Sequence, residues 1–175
     1  ELDYGHRFTI REIMTLMIIL SDNMATNILI DLLGMDRVNK TIKELGLKDT
    51  KLQRKMMDSQ AVEEGRDNFI TAEDAAHILE LIYRGKCISK KCSEQMIEIL
   101  KKQQVRGRLD LYLPEEVVIA HKTGDLDLLE HAVGIVYLPN VEYMICVLTN
   151  EVRTNKDGRE IIGKISKMVY DEFSK

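Results

Sequence analysis

The sequence predicts an α+β domain in which a helical block is followed by antiparallel strands and a closing helix. Three observations carry this prediction. Apolar residues recur at helical spacing through the first two-thirds of the chain. Three runs rich in β-branched residues, bounded by Gly, Pro or Asn, follow Pro114. A long amphipathic pattern then ends the chain. With 175 residues, 45% hydrophobic and 31% charged, residues 1–175 suffice for one globular domain with a sizeable core.

The elements follow in order. Thr9 with Glu12 is a capping box, in which each side chain satisfies a backbone N–H of the first turn. It opens a helix running through Leu20, with Ile10, Ile13, Met14, Met17 and Ile18 on the face expected to be buried. Ser21, Asp22 and Asn23 interrupt that pattern. Their short polar side chains fit a helix cap, and residues 24–33 read as the next helix, stopped near Gly34. Asp36 starts a third, short helix that ends at Gly46. Nine methionines and no tryptophan suit an adaptable core rather than a cofactor box. Across residues 52–69 the periodicity fails for longer than the roughly 12–15 residues of a plain connection, which marks a functional or disordered loop. Thr71 restarts a helix to Arg84, ended by Gly85, and another is expected over residues 93–104. Strands are expected over residues 117–122, 132–138 and 142–149, the last two joined as a hairpin through Pro139 and Asn140. A helix from Asp157 or Gly158 to Phe173 closes the chain. Three strands make a small sheet for so many helices, so further strands are expected ahead of it.

Composition excludes several partners. A net charge of −4 with interspersed signs leaves no basic stripe for nucleic acid. The lysine pairs 90–91 and 101–102 read as solvated helix faces. No apolar run approaches the roughly 20 residues that span a bilayer. Cys87, Cys92 and Cys146 form no disulfide framework or zinc spacing. His6, His77, His121 and His131 are scattered without a shared helical face. No metal and no cofactor is expected, and nothing in the sequence sets an oligomeric state.

One motif remains beside the Ser-Asp-Asn break. Lys122, Thr123 and Gly124 stand at the end of the first expected strand, where Gly by itself fits a bulge or a close approach. Ser-Asp-Asn at a helix junction and Lys-Thr-Gly on a strand, in this order, form the pair found in penicillin-recognising serine enzymes beside a Ser-x-x-Lys nucleophile motif. The chain resembles the class A β-lactamase family and the related penicillin-binding proteins. Residues 9–34, passing through Ser-Asp-Asn, and residues 134–150, like the family's final hairpin, extend the resemblance over nearly the whole chain. Residues 52–69 would be the family's Ω-loop, with Arg54 and Asp67 where an ion pair clasps it.

The resemblance implies a serine acyl-transfer hydrolase with a β-lactam or D-alanyl peptide-like substrate. Such chemistry needs a nucleophile, a proton donor for the departing nitrogen and donors for the oxyanion. By resemblance, Ser21 relays the proton, and Asn23 bonds the substrate amide and orients the nucleophile's lysine. Lys122 and Thr123 hold a substrate carboxylate, and Gly124 lets substrate lie along the strand edge. The Asp125 N–H supplies half of the oxyanion hole. Asp22 would be structural. An extracytoplasmic location follows from the family.

The sequence departs from the family in three places. No Ser-x-x-Lys occurs; the family places it several tens of residues before Ser-Asp-Asn, on a helix behind two strands. The chain is therefore expected to be N-terminally truncated, lacking the first helix, two strands and the nucleophile helix, and to be inactive alone. Met56 stands where the family has a glutamate that activates the deacylating water, with Asp58, Glu63 and Glu64 as the nearby carboxylates. Asp125 would repel a β-lactam carboxylate. Two alternatives stay open: a penicillin-binding or D,D-peptidase-like protein that is slow to deacylate, and a non-catalytic ligand-binding module.

Overall fold

The structure, a computed structural model, describes Gly5 and residues 7–175. His6 lies outside the described residues. Among the described residues, seven helices and one three-stranded sheet follow in the order α1 (Ile10–Ile19), α2 (Asn23–Leu33), α3 (Met35–Glu44), α4 (Ser59–Glu63), α5 (Ala72–Tyr83), α6 (Lys90–Leu100), β1 (Val118–Leu126), β2 (Leu129–Tyr137), β3 (Glu142–Leu148) and α7 (Asn155–Phe173). This is the expected helical block, antiparallel sheet and closing helix. No described helix is long and apolar enough to cross a membrane.

Side-chain caps explain most helix starts. Thr9 and Glu12 form the reciprocal capping box of α1. Asp22 accepts from Ala25 N to cap α2, and Gly34, at φ 78°, ends it. Thr71 caps α5 and Thr154 caps α7. Helix α7 starts at Asn155 rather than at Asp157 or Gly158, because Thr154 caps it, and α6 also departs from expectation. Helix α6 starts at Lys90 rather than residue 93 because Ser89 Oγ accepts from Cys92 N, and it ends at Leu100. The aperiodic segment also holds a short helix, α4, capped by Asp58.

The larger correction lies in the sheet, whose order is β1-β2-β3 with both pairs antiparallel. β1 continues four residues beyond Lys122 and β2 begins before Ala132, so Lys-Thr-Gly lies within a long hairpin and not at a strand end. Leu126 pairs with Leu129 across a turn in which Leu128 has φ 55°. The polar residues that read as loop, above all Glu130, belong in the sheet because they are paired there. Glu130 is fully buried and bonds Arg108 and Asn155. Gly158 makes that burial possible, since a Cβ on it would meet Glu130 Cγ at 2.9 Å.

The sheet is covered on both faces. Under α7, Leu109, Leu113, Ile119, Ala132, Val136, Tyr143, Ile145 and Ile162 form one core. On the opposite face Leu79, Leu100, Ala120 and Ile135 form a second, reached by Ile18 of α1. The expected buried face of α1 is corrected: α1 has no fully buried residue, and Ile10 and Met14 are exposed. Nothing among the described residues covers that side, so helical spacing marked an apolar face without a partner for it. Met24, Ile28, Leu32 and Leu33 of α2 extend the exposed apolar surface.

Candidate active site

The break between α1 and α2 places Ser21 in a left-handed conformation, φ 54°. A non-glycine residue held there is strained, and such strain clusters at functional sites. Ser21 Oγ accepts a hydrogen bond from Lys122 Nζ on β1, 101 residues away in sequence. Lys122 Nζ also donates to Thr123 O at 2.5 Å. Burial pushes the Lys122 amine down to about 8, and the neighbouring Arg108 cation adds to this while Asp125 opposes it. Asn23 is exposed at the first position of α2. The Ser-Asp-Asn and Lys-Thr-Gly segments therefore face one another, joined by Ser21 and Lys122, with Asn23 beside them and not bonded to either.

Alternation along β1 turns Thr123 to the face opposite Lys122. Thr123 is buried and its Oγ1 has no hydrogen-bond partner, a costly state that a bound acceptor would relieve. Gly124 is not required by internal packing, since a Cβ there would meet only His131 Cβ, at 3.8 Å. Asp125 is not a free carboxylate at the mouth of the cleft: its Oδ1 accepts from Arg108 Nη2 at 2.9 Å. Arg108 Nε in turn donates to Glu130 Oε2 at 2.6 Å. His121, two residues before Thr123 on the same face, is buried, and that burial lowers its imidazole to about 4.

The loop of residues 52–69 is closed at its neck by reciprocal backbone bonds between Lys51 and Phe69, each 3.0 Å. Inside the neck Arg54 Nε donates to Asp67 Oδ1 at 2.6 Å, so these two residues are in hydrogen-bond contact. Three asparagines hold the loop segment leading to Met56, each acting like a peptide group on alternate residues. Asn39 bonds the N–H and carbonyl of Leu52 at 2.9 and 2.7 Å. Asn68 bonds the N–H and carbonyl of Arg54 at 3.1 and 3.2 Å, and Asn27 of α2 bonds those of Met56 at 2.8 and 3.1 Å. The Met56 backbone is thus fixed against the helix that follows Ser-Asp-Asn, while its side chain offers no base. Asp58 accepts from Ala61 N at 3.0 Å, and Glu64 is paired with Arg66. Glu63 is exposed.

Sequence reading missed Arg108, Glu130 and the three asparagines. Glu130, just ahead of the run expected as a strand from Ala132, read as loop and so gave no sign of the buried carboxylate that demands a cation. The asparagines left none, since their partners are backbone groups. Among the described residues no group of three or more His, Cys, Asp or Glu could hold a metal ion.

Comparison with known proteins adds four findings. The model of the beta-lactamase enzyme family matches residues 1–173. A beta-lactamase of Bacteroides uniformis is 26% identical over 97% of this chain and 62% of its own length. The crystal structure of a beta-lactamase from Sphaerobacter thermophilus superposes with a TM-score of 0.90 at 33% identity, over 98% of this chain and 66% of that one. The protein PBP-A, in a mutant form solved as an acyl-enzyme complex with penicillin G, gives a TM-score of 0.87 at 28% identity over 99% of this chain and 64% of its own. The chain thus spans less than two-thirds of the length of each of these relatives.

Proposed function

Because this chain belongs to the beta-lactamase enzyme family, we propose that it forms one wall of a serine acyl-transfer site that opens a β-lactam amide, or the amide of a D-alanyl peptide, through an acyl-enzyme. The observation that carries the reading is the hydrogen bond from Lys122 Nζ to Ser21 Oγ, which joins the two motifs across the fold. With its oxygen accepting from Lys122, the Ser21 hydroxyl keeps its own proton to donate to the departing amide nitrogen. The Lys122 charge receives an anionic group of the ligand, while the Thr123 side chain, buried on the other face of β1, is not placed beside it, and the Asp125 N–H polarises the reacting carbonyl. The exposed apolar surface of α1 and α2 is where a further segment, bearing the nucleophile and its lysine, packs.

A second reading within this chemistry is favoured by Met56. Acylation does not need the loop base, whereas deacylation does, and general-base help is worth about 10²–10⁴-fold. Met56 accepts no proton, and Asp58 is engaged in capping α4. The protein then behaves as a penicillin-binding protein that is acylated and slow to release.

The test uses the complete gene product. Lys122→Ala should slow acylation by a penicillin about 10²-fold, and Lys122→Arg should restore most of the rate because charge matters more than shape. Equal, negligible effects would remove Lys122 from the ligand site. The 175 residues alone should hydrolyse a chromogenic cephalosporin no faster than buffer.

A further inference from the structure

The last carbonyls of a helix have no partner within it, and carbonyls on the open side of an edge strand have none within the sheet. At the end of α1 and on β1, an edge strand among the described residues, one side chain serves both. Gln103, 4% exposed, donates from Nε2 to Ile18 O at 2.9 Å and to His121 O at 3.4 Å. Its Oε1 accepts from Gln104 N at 3.0 Å and Val105 N at 2.9 Å, so both donors and both lone pairs of the amide are spent on backbone. Gln104 N also reaches Ile19 O at 3.0 Å. Ser21 lies three residues beyond Ile18, and Lys122 follows His121 directly. The amide therefore closes a small ring whose opposite side is the bond from Lys122 Nζ to Ser21 Oγ. Alternate carbonyls of a strand share a direction, and the next on this side, Thr123 O, accepts from Lys122 Nζ at 2.5 Å. Ser21 sits at φ 54°, a conformation that persists only where its surroundings fix it.

We propose that Gln103 is a positioning residue, whose side-chain amide sets the separation of Ser21 Oγ and Lys122 Nζ by tying the carbonyl of Ile18 to that of His121. The inference rests on the acyl-transfer reading and deepens it by naming a residue that acts only through Ser21 and Lys122. Without the amide, α1 and β1 lose the tie between them, Ser21 relaxes from its left-handed conformation, and water reaches the Lys122 amine.

The experiment uses the complete gene product and Gln103→Met, which keeps the side chain's length and removes its bonds. Acylation by benzylpenicillin should slow about tenfold, within the roughly 10²-fold that a misplacement of 1 Å costs. Gln103→Asn, one methylene too short to span both carbonyls, should give a rate between the two, and it carries the test where the methionine variant does not fold. Gln104→Ala, whose backbone N–H remains, should leave the rate unchanged. In a Ser21→Ala background, Gln103→Met should slow acylation further by less than about twofold, since residues acting through one another do not add. An equal loss in both backgrounds makes Gln103 a purely structural residue and overturns the proposal. A second readout needs no acylation, so it separates failure of this inference from failure of the acyl-transfer reading. The Lys122 amine, followed by the NMR resonance of its Cε, is held down to about 8 by burial, with Arg108 and Asp125 as the charges beside it. Gln103→Met leaves those charges in place, and the titration should rise toward the ordinary 10.5 as water enters. A titration unmoved in the folded variant overturns the proposal even where penicillin reacts.

Discussion

The face of the sheet beneath α7 and the outer face of α1 and α2 are made of the same residue types and end in opposite states. Beneath α7, Leu109, Val136 and Ile162 are wholly buried. On α1 and α2, Ile10, Met24 and Leu32 remain exposed. Burial contributes about 25 cal/mol per Å² of apolar surface removed from water, so the first face stabilises the chain and the second adds little. An exposed apolar surface of this extent marks an interaction site. The difference teaches that helical spacing reveals which face wants cover, while only the fold reveals whether cover is present.

The largest effect should come from breaking the well-covered side at its charged hub. Arg108→Met leaves Glu130 buried beside only the more distant Arg159 and Asn155. Removing one member of a buried pair costs about 3–5 kcal/mol, to be read as a lower urea midpoint. A smaller effect on the same side is pH-dependent. His121 has a folded pKa near 4 against an ordinary value of 6.5. The unfolded chain therefore binds the extra proton first, and stability that is full above pH 6.5 is lost as pH falls toward 4. The linkage is on the order of 2–3 kcal/mol. Urea midpoints at pH 7 and 4.5 should converge in His121→Gln relative to the wild type.

The loop sharpens the comparison because its order is polar. Asn68→Ala strands the N–H groups of Gln53 and Arg54 and the Arg54 carbonyl. A loss of about 1–3 kcal/mol is expected, seen first as faster hydrogen exchange at the Arg54 amide. The smallest effect belongs to the uncovered face: Met24→Ser and Leu32→Ser should change the stability of these 175 residues by no more than about 0.5 kcal/mol. A larger loss would mean that this face is already covered.

The helical block, the final hairpin and the closing helix were legible because they rest on local patterns and caps. Thr9, Asp22 and Thr71 act within one turn of their own position, whereas the Thr154 cap that starts α7 at Asn155 was missed. The Arg54 and Asp67 contact was reached through resemblance. The length of the first hairpin was not legible. Asp125 and Glu130 carry loop chemistry, and only their long-range pairing with Arg108 makes strand residues of them. For the same reason Asp125 read as a repelling charge when it is a paired one. The clamp on Met56 was hidden because an asparagine bonded to backbone leaves no pattern in side-chain type.

In the proposed function, one wall assembles an acylation site and the loop, with Met56, lacks the base that releases the product. Intact mass of the complete gene product after exposure to benzylpenicillin tests both at once. A persistent gain equal to the whole drug, with little steady hydrolysis, is the predicted result, and Met56→Glu should shorten its lifetime. Absence of any adduct, either with rapid turnover that survives Asp58→Ala or with no reaction at all, would contradict it.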